Sequence, residues 1–104
     1  MSASDHLQRR LFFTAGELVN LYANDAPSCP SLLESNLYRQ HVYQSKGPSL
    51  TYSGLREDIK KNGVQEPIRL DDRNGEPTIM DGHHRTAIAH DLNPDSYIPV
   101  KYGY

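Results

Sequence analysis

The chain has 104 residues, 37% of them hydrophobic and 23% charged, with a formal charge of −2 at pH 7. That length suits one small domain, and the slightly negative balance speaks against a broad nucleic-acid surface, which asks for a basic one. No apolar run approaches the ~20 residues of a membrane span, and Arg9 and Arg10 are not followed by the apolar stretch of a signal peptide.

In chain order, the first local signal is Thr14-Ala15-Gly16-Glu17, a capping box. The Thr14 hydroxyl can accept from the Glu17 N–H while the Glu17 carboxylate reaches back to the Thr14 N–H. Phe13 and Leu18 are placed to staple that start, and a helix over 15–23 would group Leu18, Leu21 and Tyr22. Asp25 to Pro30 reads as a loop. It holds Cys29, the single cysteine, which cannot form an internal disulfide and so fits a reducing cytoplasm. Leu33, Leu37, Tyr38 and Val42 recur at helical spacing and predict a helix from Leu32 to Gln44, broken by Ser45-Lys46-Gly47-Pro48-Ser49. His6 and His41 read as surface residues. Tyr38, Tyr43 and Tyr52, with Leu33 and Leu37, read either as cover laid on a small core or as an exposed patch for a protein partner.

Beyond residue 50 the rhythm tightens. Ser53 is placed to cap a helix from Gly54 to Lys61 that turns Leu55 and Ile59 inward and stops at Gly63. Pro67 to Leu70 predicts a strand, Asp71 to Gly75 a hairpin turn through Asn74-Gly75, and Thr78 to Met80 the returning strand. Gly82 then opens a helix from His83 to Asp91, ended by Asn93-Pro94-Asp95, and Tyr97 to Tyr102 forms the last strand. The fold class expected is α+β. Residues 1–50 form a helical extension packed on the core, and 51–104 a compact unit of mixed sheet and helices.

Chemistry concentrates in Asp81-Gly82-His83-His84-Arg85, where a strand end meets a helix start. The first turn of a helix leaves backbone N–H groups unpaired and partly positive. Gly82 removes a side chain that would block close approach, Arg85 offers a planar fork for phosphate oxygens, and His83 and His84 add donors. All of these point to an anion. The competing reading is structural, with His84 or Arg85 folding back on nearby carbonyls or pairing with Asp81.

Leu55-x3-Ile59-x3-Gly63-Val64-Gln65-Glu66-Pro67-Ile68, a hairpin, Asp81-Gly82-His83-His84-Arg85-x3-Ala89 and then Ile98-Pro99-Val100 together resemble the ParB N-terminal domain and its relative sulfiredoxin. The resemblance covers about residues 53 to 102. It implies a ParB/sulfiredoxin-like fold in which Gly82, His84 and Arg85 hold the phosphates of a nucleotide, with Gln65 and Glu66 as the polar members of a second nucleotide-facing motif. ParB proteins carry Gly-Glu-Arg-Arg at this turn, so His83 and His84 depart from that pattern. The catalytic cysteine of sulfiredoxin would fall at His83, so sulfinic acid reduction is not expected, whereas His84-Arg85 matches its phosphate-holding pair. The resemblance does not extend to the DNA-reading helix-turn-helix of ParB proteins, and DNA binding is not expected.

Three functions follow as expectations. The first is a module that binds a nucleotide or other phosphate ligand, with Mg²⁺ as an accompanying ion, and acts as an accessory or regulatory factor. The second is a nuclease or nucleotide hydrolase using Glu66 or Asp81 with His83 or His84. The third is a protein-interaction factor, of the kind a bacteriophage or mobile element encodes, that kept the fold without the ligand.

Overall fold

A computed structural model describes residues 10–23, 31–47, 50–73 and 77–103. The elements in order are β1 (Phe12–Thr14), α1 (Ala15–Val19), β2 (Tyr22–Ala23), α2 (Asn36–Lys46), α3 (Leu50–Asn62), β3 (Ile68–Asp71), β4 (Thr78–Asp81), α4 (His83–Leu92) and β5 (Tyr97–Tyr102). The class is α+β. The strands form one mixed sheet in the order β1-β5-β3-β4-β2. β5 runs antiparallel to β1 and parallel to β3, while β4 runs antiparallel to β3 and parallel to β2.

Period-two burial fixes the register. Ile68 and Leu70 of β3, Ile79 of β4 and Ile98 of β5 are all fully buried, and Val100 nearly so. Cross-strand pairing aligns Ile68 with Val100, Leu70 with Ile79 and Phe13 with Ile98, so slipping a strand by one residue would turn these side chains to water. Leu18, Val19, Leu32, Ile59, Ile88 and Ala89 complete the core against that row. α4 is the central helix, in contact with α1, α2, α3 and β3. Its buried residues after His83 are Thr86, Ala87, Ile88 and Ala89, mostly small, which lets three helices approach it closely.

The capping box forms as read. Glu17 N–H donates to Thr14 Oγ1 at 3.2 Å, and Thr14 N–H donates to Glu17 Oε1 at 2.9 Å. Arg10 reinforces it with a two-pronged contact to the Glu17 carboxylate at 2.6 and 2.8 Å, its guanidinium carbon lying 4.3 Å from the centre of the Phe13 ring. The next two N–H groups of the helix start, those of Ala15 and Gly16, donate to the carbonyls of Ser96 and Pro94, so α1 docks on the loop between α4 and β5.

The first half differs from a purely helical cover, because it supplies both edge strands. The helix expected to reach Ala23 ends at Val19, and Tyr22–Ala23 instead pairs with Thr78 and Ile79. The reason is tertiary. Leu33 N–H donates to Val19 O and Leu32 N–H to Leu21 O, occupying carbonyls that a longer helix would need. Leu32 and Ser35 likewise lie before α2 rather than inside it. Ser35 turns back on Leu32 O through its N–H and its hydroxyl, and Leu32 is fully buried as an anchor. Ser53 is interior to α3, which begins three residues earlier at Leu50. Gly63 ends α3 with φ +74 and an N–H bond to Ile59 O, as the sequence suggests. His6, the loop with Cys29, the break at Pro48-Ser49 and the Asn74-Gly75 turn lie outside the described residues. Among those described, no helix is long and apolar enough to cross a membrane.

Candidate functional site

The turn from β4 into α4 is fixed by Gly82. This residue is the N-cap of α4 with φ 102 and ψ 22, left-handed values that favour glycine. A Cβ there would lie 2.5 Å from Ile68 Cδ1, inside the core. Glycine is therefore demanded by the packing of the turn against β3, whatever approaches from outside. Gly82 O accepts from Thr86 N–H and from Thr86 Oγ1, both at 2.9 Å, which closes the first turn. Gly82, as the N-cap residue, has no side chain with which to cap the N-terminus of α4.

The residues singled out in the sequence separate into three environments. His83 is buried in the first turn of α4. Arg85 turns back toward the loop between α3 and β3. Its Nη1 donates to Glu66 O at 2.9 Å and lies 3.6 Å from Glu66 Oε2, and its Nη2 lies 3.7 Å from Asp81 Oδ2. The Arg85 side chain is only 18% exposed, against 79% and 69% for those of Glu66 and Asp81. Arg85 thus ties the Gly63-to-Ile68 segment to the Gly82 turn, bringing together the two motifs that sequence places nineteen residues apart. Gln65 is exposed in the same loop.

His84 faces the other way, toward α2 and α3. Its ring stacks on Tyr52 at 4.2 Å between centroids and 3° between planes, and meets His41 at 3.6 Å and 42°. Its Nε2 lies 3.3 Å from Gln44 Oε1. His41, expected on the surface, is buried beneath this stack. One turn further along the same seam, the Tyr38 hydroxyl lies 2.7 Å from His90 Nδ1, and burial raises the Tyr38 pKa, with a smaller push from Asp91. Tyr38 and Leu37 therefore serve as cover on the core, while Tyr43 and Leu33 are exposed. At the far end of α4, Asp91 takes Arg56 at 2.8 Å and Lys46 at 3.4 Å. Burial raises its pKa, but the two cations outweigh that and hold it below the usual carboxylate range.

His41, Gln44 and Tyr52 were not legible as site neighbours one by one. A pattern was present, since Tyr38, His41 and Ser45 fall at i, i+3 and i+7 and so mark one face of α2. A polar stripe at that spacing beside apolar residues signals a helix seam rather than a solvated face.

Among the described residues, no three or more His, Cys, Asp or Glu side chains gather closely enough to hold a metal ion. Both carboxylates considered for acid–base work, Glu66 and Asp81, converge on Arg85. What the turn does assemble is a helix start whose N-cap residue has no side chain, with a guanidinium along one flank and an imidazole along the other. No family model, curated protein or solved structure matches the chain.

Proposed function

We propose that the protein is a small binding module that holds a phosphate-bearing ligand, a nucleotide included, at the start of α4, and that it works as an accessory or regulatory factor. The observation that carries this reading is the helix start itself. α4 begins at left-handed Gly82, an N-cap residue with no side chain of its own, and His84 and Arg85 lie in the same first turn. Backbone N–H groups at such a start, together with the helix dipole, favour an anion. The resemblance to ParB and sulfiredoxin at Gly82-His83-His84-Arg85 supports the same ligand class, with Gln65 and Glu66 as neighbours across the Arg85 contact. A cytoplasmic setting belongs to this reading, since the single cysteine suits a reducing compartment.

Glu66 and Asp81 set the terms of binding. Both are exposed and both lean on Arg85 from outside hydrogen-bond distance. An arriving phosphate displaces them from the guanidinium and meets their charge, which lowers its affinity. A specific observation favours a second reading: the Arg85 bond to Glu66 O is a structural clamp. A protein-interaction factor that kept this fold without a ligand would need Arg85 for that reason alone.

A thermal-shift screen against nucleoside mono-, di- and triphosphates, with and without Mg²⁺, tests the first reading. A ligand that binds only the folded chain raises stability by about 2.7 kcal/mol at 100 times its Kd. A shift that grows in Glu66→Gln and Asp81→Asn supports a phosphate at Arg85. No shift with any of these ligands, in the parent or in those two variants, transfers the function to the interaction reading.

A further inference from the structure

We propose that the face of the sheet turned away from the core is a second binding surface, and that its ligand is single-stranded RNA. Phe12 and Tyr97 stack the bases, while Arg69 and Lys101 hold the phosphates. Alternation along the strands sets this face. Phe13, Leu70, Ile98 and Val100 turn into the core, so the residues between and beside them turn the other way. At one end of the face, Phe12 and Tyr97 are 53% and 72% exposed. Phe12 pairs with Pro99 and Thr14 with Tyr97, which makes the two rings diagonal neighbours, about 7–8 Å apart across β1 and β5. A lone exposed ring is ordinary, but two on one face form a platform on which unpaired bases stack.

The other end of the face is cationic. Arg69 and Lys101 are register partners on β3 and β5. Like charges set directly opposite destabilise a sheet, and no described carboxylate holds either of them. Arg69 Nε is buried without a hydrogen-bond partner. Asp71, on the same face of β3, is taken by Arg73 through its N–H and its side chain. An anion laid across Arg69 and Lys101 relieves their repulsion. Four residues of β5, about 13 Å, run from Tyr97 to Lys101 and join the two ends.

Together the two ends select the ligand. A simple phosphate needs no rings, and an acidic peptide carries no bases. RNA brings a flat base and a charged phosphate in every unit, and its strands present unpaired bases as a rule. The net charge of −2 agrees with this choice, because the face asks for two phosphate contacts rather than a broad basic surface. The start of α4 lies on the helix side of the sheet, so this surface stands independently of the phosphate reading.

Fluorescence anisotropy of labelled single-stranded RNA octamers, titrated with the full chain over a range of salt, tests the proposal. Two phosphate contacts predict a slope of log affinity against log salt of about −1.4, which Lys101→Gln should bring to about −0.7. Phe12→Ala and Tyr97→Ala should each weaken binding on the order of 5- to 150-fold, whereas Tyr97→Phe keeps the ring and should bind like the parent. Phe12, Tyr97 and Lys101 are all exposed, so these substitutions leave the core intact. The proposal is overturned if the parent binds no RNA at low salt, if duplex RNA of the same length binds as tightly, or if the matching DNA strand binds more tightly. It is also overturned if both alanine variants bind like the parent. Absent RNA binding together with self-association that Phe12→Ala abolishes, read by sedimentation, assigns the face to a second copy of the chain instead.

Discussion

Arg85 Nη1 donates a 2.9 Å hydrogen bond to the main-chain carbonyl of Glu66, and this one bond joins the two motifs of the candidate site. The donor is charged and its side chain largely buried, so the bond belongs to the stronger class. Arg85→Ala should cost about 1–3 kcal/mol of stability by urea unfolding, because Glu66 O loses its charged donor. Arg85→Lys should recover part of that loss, since an ammonium can reach one carbonyl but cannot present a fork. If the phosphate reading holds, Arg85→Lys should bind inorganic phosphate more weakly than the parent while Arg85→Ala binds none, measured by calorimetry below each variant's melting temperature.

The two positive-φ glycines separate strain from crowding. Gly63 has φ +74 and open space around its missing Cβ, whereas Gly82 has φ +102 and Ile68 Cδ1 at 2.5 Å. Gly63→Ala should therefore cost only the left-handed penalty of about 1–2 kcal/mol. Gly82→Ala adds an overpacked contact worth about 1–3 kcal/mol more. In an Ile68→Val background the colliding methyl is gone, so the Gly82→Ala penalty should shrink toward that of Gly63→Ala. Equal penalties in the parent and in Ile68→Val would show that the turn relaxes away from Ile68 and that crowding plays no part.

These relationships also mark what a sequence can carry. The capping box at Thr14 was legible because both of its bonds lie within four residues, and β3, β4 and β5 because their alternation is local. β2 was not legible. Its two residues are held by Thr78 and Ile79, more than fifty positions later, and by hydrogen bonds from Leu32 and Leu33 that end α1 early. At the site, the residue types of Gly82, His84 and Arg85 were legible but their directions were not. Arg85 points back to Glu66 and His84 toward Tyr52 and His41, and those choices depend on where α2 and α3 dock.

Asp91 closes the far end of the same helix seam. It accepts from Arg56 Nη2 at 2.8 Å, while Arg56 Nη1 donates to the buried Ser45 hydroxyl at 3.1 Å. Asp91→Asn leaves Arg56, only 18% exposed, without its counter-charge. The expected cost is about 1–3 kcal/mol, and raised salt should recover little of it because the pair is partly shielded. Arg56→Lys should cost nearly as much, since one ammonium cannot serve both Asp91 and Ser45. A salt titration of both variants by chemical unfolding checks this.

The acid response should fall in the carboxylate range. Glu17 has its carboxyl held at about 2, first by Arg10 and then by the Thr14 N–H. This is a folded-state value depressed below the ordinary one near ~4.3, so the stability it contributes is present above that value and is lost as pH falls toward 2. Glu17 and Arg10 are each more than a third exposed, so solvent screens the pair and the contribution is small. Asp91 loses its contribution in the same direction and the same acidic range. Unfolding free energy measured from pH 7 to pH 2 should therefore fall below about 4. Glu17→Gln should flatten part of that fall and leave the share that Asp91 contributes. If Glu17→Gln left the fall unchanged, the Arg10 pair would add nothing to the folded state and Asp91 would account for the whole loss.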